Sequence, residues 1–443
     1  MNVSVDKKCG ESEVSVSWLG GLPSSWKVSK VKYQTKINER VLSETTSPDF
    51  EMKYIDIGSV DSTGNIKEIE TLRFENAPSR ARRIIRSGDT LVSTVRTYLK
   101  AITAVRKAPS NLIASTGFAV LTPRETIDSI YLAYLMQSAP YVDEIVSRST
   151  GVSYPAINAS EIGNLECILP SLDTQRDIVN YLDARSSEID SLITDKEKLI
   201  ALLEEKLQSV ITEAVIKGLN PSVKMKDSGV DWIGEIPEHW NEKKIAWIFE
   251  IIGSGGTPLS TNSSYYDGDV AWLNTGDLND GYVGATSKNV TQLALKDYST
   301  LKKFPSNSLV VAMYGATIGK LGITEIETTT NQACCVLAKP IDSDLKFIFY
   351  WFLANRKEII NLSYGGGQPN ISQGIIKSLK ISLPPMEEQV EITNYLNDRY
   401  SEITSIKLEL KEQIQKLKEY RQSLIYEAVT GKIDVREYIE RNE

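Results

Sequence analysis

The sequence predicts an α+β fold: two mixed α/β domains, residues 18–170 and 232–384, separated by two long antiparallel helices that form a coiled coil, the halves related by a pseudo-two-fold internal repeat. Three observations predict it. Motifs recur at a constant offset of 214 residues. Each copy runs on into a helical stretch with apolar residues spaced four and three apart. And 443 residues exceed what one hydrophobic core ordinarily organises.

The repeat is the strongest of these. Trp18-Leu19-Gly20-Gly21-Leu22-Pro23-Ser24-Ser25-Trp26 returns as Trp232-Ile233-Gly234-Glu235-Ile236-Pro237-Glu238-His239-Trp240. Leu169-Pro170, Gln175, Tyr181-Leu182 and Glu213-Ala214-Val215 return as Leu383-Pro384, Gln389, Tyr395-Leu396 and Glu427-Ala428-Val429. Between Leu169 and Ser191, 12 of 23 positions are identical to their partners, against one or two expected from average composition. The interiors have diverged: Tyr54-Ile55-Asp56-Ile57-Gly58 faces Trp272-Leu273-Asn274-Thr275-Gly276 at an offset of 218.

In chain order, residues 1–17 form an N-terminal segment and 18–170 the first domain. Within the domains, Ala101 to Val105 and Leu309 to Ala312 read as strands, Gly253 to Thr257 and Gly365 to Gln368 as loops. A central long helix over 171–218 follows Pro170; its seam runs Ile178, Leu182, Arg185, Ile189, Leu192, Lys196, Leu199, Leu203. A linker, 219–231, leads into the second domain, 232–384. The distal long helix, 385–431, carries the seam Ile392, Leu396, Arg399, Ile403, Ile406, Leu410, Gln413, Leu417, and a tail occupies 432–443. Parallel pairing of the helices needs a long return connection after Gly218, and only about a dozen residues are there, so antiparallel pairing is expected. Each helix would span ~65 Å.

Composition narrows the function. One histidine, His239 in a predicted turn, disfavours histidine-based metal and acid–base sites. Cys9, Cys167, Cys334 and Cys335 make no C-x-x-C pair and read as buried thiols. No apolar run approaches a membrane span, and Met1 to Glu13 lacks a signal-peptide core, so a cytoplasmic protein is expected. The net charge of −8 is unevenly placed: residues 18–170 carry 18 basic and 16 acidic side chains, residues 232–384 carry 13 and 14.

At this point the sequence resembles the DNA-specificity subunits of type I restriction-modification systems. The resemblance covers nearly the whole chain. It is carried by Lys224 to Trp240, similar to that family's central linker; by Leu383-Pro384-Pro385-Met386-Glu387-Glu388-Gln389, similar to the motif entering its distal helix; and by Glu427-Ala428-Val429-Thr430-Gly431-Lys432-Ile433-Asp434, similar to its C-terminal ending. The first unit departs from the entry motif, with Leu169-Pro170-Ser171-Leu172-Asp173-Thr174-Gln175. The resemblance implies two target-recognition domains, each reading half of a split site in double-stranded DNA, and a coiled coil that fixes the distance between halves. It implies two methylation subunits as partners, motor-nuclease restriction subunits in the full complex, no membrane, and no catalytic residue, metal or cofactor on this chain.

The residues agree with a non-catalytic reading. Asn220-Pro221-Ser222 and Leu383-Pro384-Pro385 do not fit an amino-methyltransferase motif. Gly315-Ala316-Thr317-Ile318-Gly319-Lys320-Leu321 is one residue short of a P-loop and lacks its magnesium-binding hydroxyl. Pro48-Asp49-Phe50-Glu51-Met52-Lys53 compresses a nuclease-like carboxylate set too tightly.

For DNA binding, the first domain offers Arg80, Arg82, Arg83, Arg86, Arg96, Lys100, Arg106 and Lys107 against Asp89 alone, with Thr94, Thr97 and Tyr98 nearby. Arginine and lysine neutralise phosphates, and arginine also grips guanine. The second domain offers Asn274, Thr275, Lys288, Lys302, Lys303, Tyr314, Lys320, Asn331, Gln332 and Gln368, whose amides suit adenine edges. A solvated basic face and turn-closing amides are the bland alternatives. Because the second domain is nearly neutral, the isolated chain is expected to bind DNA poorly. The Glu- and Lys-rich helix faces and the terminal segments are the expected partner surface. A ~65 Å rod would cap the spacer at roughly 19 base steps. Two other readings remain open on the residues alone: a coiled-coil adaptor without DNA specificity, and a fused restriction-methylation enzyme.

Overall fold

The computed structural model describes residues 14–363 and 370–436. It divides into two units, one made of residues 1–196 with 411–443, the other of 197–410. Each has two larger sheets, two two-stranded ones, short helices, and a share of both long helices. This is the mixed architecture with two antiparallel long helices expected from the repeat.

In the first unit, one sheet runs Glu70–Arg73, Glu51–Ile55, Leu112–Ser115, Ala81–Ile84 in spatial order. Leu112–Ser115 lies parallel to Glu51–Ile55 and antiparallel to Ala81–Ile84. The other, wholly antiparallel, runs Thr35–Ile37, Phe118–Pro123, Thr90–Ser93, Ile102–Ala104. Its inner strands are fully buried over Thr90–Ser93 and Phe118–Leu121, and neither stretch shows the polar alternation of a strand with one wet face. Helix Ser129–Gln137 starts where the Asp128 carboxylate accepts the N–H groups of Ile130 and Tyr131.

The second unit repeats the plan. A five-stranded sheet runs Phe249–Gly253, Cys334–Pro340, Leu309–Ala312, Leu321–Thr324, Gly281–Val283, and a three-stranded one runs Asn289–Val290, Tyr266–Leu273, Thr329–Thr330. Helix Leu345–Ala354 starts at Asp344, which accepts the N–H of Phe347, and buries seven of its ten residues. The repeat offset survives in backbone pairing. Lys27–Lys30 pairs antiparallel with Glu166–Leu169, and Asn241–Lys244 pairs antiparallel with Lys380–Leu383.

The long helices are Leu172–Lys217 and Met386–Val429, of 46 and 44 residues. Their pairing is antiparallel in each unit. In the first, Lys196 Nζ donates to Gln413 Oε1 at 2.6 Å while Asp190 faces Arg421. In the second, Glu204 faces Lys407 at 2.5 Å. The seam differs from the expected one in its middle. After Ile189 the central helix steps by four, so Ile193, Lys196, Ile200 and Leu203 turn inward while Leu192 and Leu199 are exposed. On the distal helix Tyr400, Lys407 and Ile414 face inward in place of Arg399, Ile406 and Gln413. Both tracks have a 3.5-residue period, and packing selects the one that carries Ile189 on to Ile193 and Ile403 on to Leu410 and Ile414.

Both helices end at a left-handed glycine. Gly218 (φ +75°) lies against Trp240 in the second unit, and Gly431 (φ +70°) against Pro23 and Trp26 in the first. A Cβ at Gly431 would sit 2.6 Å from Pro23 Cγ. The first core thus joins Tyr131, Leu132, Tyr141, Cys167, Ile178 and Leu182 to Leu424, Ile425, Ala428 and Val429.

Cys167, Cys334 and Cys335 are free and buried, and burial pushes their thiols up to about 12; Cys9 lies outside the described residues. Among the described residues no helix is long and apolar enough to cross a membrane, and no cluster of acidic, histidine or cysteine side chains is set to hold a metal ion.

Candidate nucleic-acid interface

In the first unit a chain of hydrogen bonds builds one edge. Strand Glu51–Ile55 ends at Asp56, which precedes the 3-10 turn Ile57–Ser59. Asp56 Oδ2 accepts from Arg80 at 2.8 Å, and Asp56 Oδ1 from the Tyr54 hydroxyl at 3.3 Å. The hydrogen bond with Tyr54 and the charge of Asp56 raise the Arg80 guanidinium above its ordinary range. The Arg80 carbonyl accepts the N–H of Thr116 at 2.7 Å, and the next carbonyl, of Gly117, accepts both the N–H and the hydroxyl of Thr94 at 2.8 Å. Val95 bridges to Ala156, and the Arg96 N–H donates to Pro155 at 2.7 Å. The Arg96 guanidinium lies 4.7 Å from the centre of the Tyr154 ring. Arg96 opens the turn Thr97–Leu99, and Lys100 closes it, with Tyr98 exposed between them.

The edge therefore collects Arg80, Thr94, Arg96, Tyr98 and Lys100 from the basic stretch. The other basic residues go elsewhere. Arg82 stacks over Phe74 at 5.0 Å. Arg83 is half-buried, burial lowers its pKa, and its Nε has no hydrogen-bond partner. Arg86 is exposed, and its N–H donates to buried Asp89, whose carboxylate also binds Arg40. Arg106 is held by Asp183 of the central helix at 2.6 Å, beside the exposed Lys107.

The second unit builds the corresponding edge from amides. Strand Tyr266–Leu273 ends at Asn274, which caps the 3-10 turn Thr275–Asp277 through a reciprocal bond with Asp277. Asn331 Nδ2 donates to Asn274 Oδ1 at 3.0 Å, and Asn274 Nδ2 donates to the Trp272 carbonyl at 3.0 Å. The exposed Gln332 accepts from the Thr257 hydroxyl. Burial raises the Tyr314 pKa, which a hydrogen bond from Gln332 partly offsets. Met313 binds Ala333 at 2.8 Å and Tyr314 bridges to Asn370, as Thr94 binds Gly117 and Val95 bridges to Ala156 in the first unit.

Asn274, Thr275, Tyr314, Asn331 and Gln332 thus meet, with Lys320 exposed at the far end of the Tyr314 loop. Lys288 is exposed on the segment beside Trp272. Lys302 is exposed on another segment, where Lys303 pairs with Glu327 at 2.9 Å. Gln368 lies outside the described residues. His239 is an exposed turn residue, 2.8 Å from Glu388.

Sequence reasoning missed Asp56, Thr116, Tyr154 and Thr257. A signal existed for the loop around Tyr154: Gly151, Pro155 and Ile157 return at offset 214 as Gly365, Pro369 and Ile371, so the loop belongs to the repeated frame.

The family described as the type I restriction modification DNA specificity domain matches residues 237–416. The type I restriction enzyme MjaVIII specificity subunit of Methanocaldococcus jannaschii is 26% identical over 339 residues, covering 73% of this chain and 75% of that one. A chain from a structure of the type I R-M system superposes with a TM-score of 0.73 at 22% identity, over 93% of this chain and 99% of that one. The HsdS subunit from Thermoanaerobacter tengcongensis superposes with a TM-score of 0.50 at 22% identity, over 93% and 98%. The superpositions establish a shared fold. Alongside the internal repeat, residues 237–416 match the type I restriction-modification specificity domain, and the chain as a whole is similar to the specificity subunits of those systems.

Proposed function

We propose that the chain reads a bipartite sequence in duplex DNA, one half-site per recognition domain, while modification and restriction subunits carry methylation and cleavage. One observation carries this reading. The two units present corresponding edges, each at the end of a strand that runs into a 3-10 turn, but one is finished with the Asp56–Arg80 ion pair and the other with the Asn274–Asn331 amide pair. A duplicated frame with different hydrogen-bonding chemistry suits two different half-sites. Arg80, Arg96 and Lys100 would serve phosphates or guanine in the first, and Thr275, Tyr314 and Gln332 base edges in the second.

In this reading the paired helices set the spacer, and two modification subunits bind charged helix faces outside the seam. The chain itself contributes no catalytic group and no cofactor, and it acts in the cytoplasm. The kinship to DNA-specificity subunits favours this over a coiled-coil adaptor.

The test is co-expression with the modification subunits, followed by mapping of methylated bases across the host genome. A motif of two short blocks with a fixed gap is expected, and Gln332→Ala with Thr275→Ala should alter one block only. A contiguous motif, or both blocks changing together, would overturn the proposal.

A further inference from the structure

Resting on the DNA-reading proposal, we infer that the first recognition domain carries an apolar wedge, Val152 with Tyr154, that enters a base step of duplex DNA. The loop after helix Ala139–Ser147 and the turn Thr97–Leu99 are tied into one tip by the Arg96–Pro155 hydrogen bond, the Val95–Ala156 bridge and the contact between the hydroxyls of Thr97 and Ser149 at 2.9 Å. Val152 is 103% exposed and Tyr154 64%, with Tyr98 at 51% and Leu99 at 41%. Four apolar side chains this exposed on one tip bury little surface within the fold, and such exposed patches mark binding surfaces.

The tip is also held in shape. Arg96 (φ 50°) and Lys100 (φ 56°) both take the left-handed conformation that non-glycine residues rarely adopt, and they flank the turn on either side. Arg96 stacks on Tyr154, fixing the ring beside a cation. Charge identifies the occupant. Arg96, against the Tyr154 ring, and Lys100, at the other end of the Thr97–Leu99 turn, supply cations for phosphates beside these residues. Proteins that kink DNA insert apolar side chains between base steps in this setting.

The experiment uses the full chain bound to its modification subunits and duplexes carrying 2-aminopurine at successive positions of the methylated motif. Wild type should raise fluorescence at one step of one half-site. Val152→Ser with Tyr154→Ala should lose that signal and weaken binding by roughly tenfold, whereas Tyr154→Phe should keep both. Because these side chains are exposed, thermal unfolding of the variants should match wild type. If the double variant binds DNA as tightly as wild type, or wild type gives no fluorescence change while still selecting its motif, the wedge is wrong and DNA reading stands. If the double variant no longer co-purifies with the modification subunits, the tip is a protein-docking surface and the wedge is wrong. If wild type shows no preference for any motif, the DNA-reading proposal fails first.

Discussion

The side-chain carbonyl of Gln175 accepts the backbone N–H of Asp128 at 2.7 Å, and its amide donates to the carbonyl of Pro170 at 3.0 Å. Gln389 repeats this in the second unit, with Asp344 at 2.8 Å and Pro384 at 2.9 Å. Both glutamines are almost fully buried. Each ties the first turn of a long helix to the start of the domain helix beside it. Removing either amide leaves a buried donor and a buried acceptor without partners. Gln175→Met or Gln389→Met, which keep the length but not the hydrogen bonds, should each cost about 2–3 kcal/mol, read from urea denaturation. A loss below about half a kcal/mol would show that water takes over both bonds.

Asp56 restrains Arg80. Asp56→Ala should release the guanidinium, strengthen binding to random duplex and narrow the gap between specific and random DNA. Arg80→Ala should weaken specific binding by roughly tenfold, consistent with loss of one guanidinium contact. Titrations of the full complex at two salt concentrations separate the cases. Equal affinities for wild type and Arg80→Ala at both salts would remove Arg80 from the interface.

Stability should also depend on pH through Glu166. Burial opposes ionisation of this carboxyl, but the hydrogen bonds from Lys30 at 2.7 Å and Trp18 Nε1 at 3.1 Å outweigh it, so it titrates below the ordinary glutamate value of 4.5. A depressed folded pKa adds stability above the unfolded pKa, and that stability disappears as pH falls through the folded value. Glu166→Gln should therefore lower Tm at neutral pH, by the equivalent of about 1 kcal/mol, and the difference from wild type should shrink on acidification below the ordinary glutamate range. A gap in Tm that stays constant down to acid pH would assign the effect to packing.

Helix length should set the spacer. Deleting residues 197–203 and 408–414 together removes one heptad from each helix in matching register. The gap in the methylated motif should contract by up to about three base pairs, since seven residues rise roughly 10 Å. An unaltered gap would separate spacing from helix length.

The frame was legible from sequence because it is duplicated. The pairings of Lys27–Lys30 with Glu166–Leu169 and of Asn241–Lys244 with Lys380–Leu383 follow the offset read from Trp18 and Trp232. The seam was legible in period but not in phase. Leu192 and Leu199 satisfy the spacing as well as Ile193 and Ile200 do, and only three-dimensional packing chooses between them. The candidate interface was least legible. Arg80 and Arg106 look alike in a basic stretch, yet one meets Asp56 on the recognition edge and the other meets Asp183 on the central helix. Partners this far apart in the chain leave no periodic trace. Asn274 and Asn331 were both legible as amides, but not that they bind one another.

Gly431 against Pro23 has a consequence for how the protein is made. The unit built from residues 197–410 is one uninterrupted stretch of chain. The unit built on residues 14–196 takes Leu424, Ile425, Ala428 and Val429 into its interior, and the Tyr131 hydroxyl donates to the Val429 carbonyl. Domains generally mature in the order they leave the ribosome. Here the order is inverted: residues 14–196 wait, with an open seat in their interior, until Leu424 to Val429 have been synthesised. A chain cut short before Leu424 would spare the unit of residues 197–410 and leave the other one unfinished.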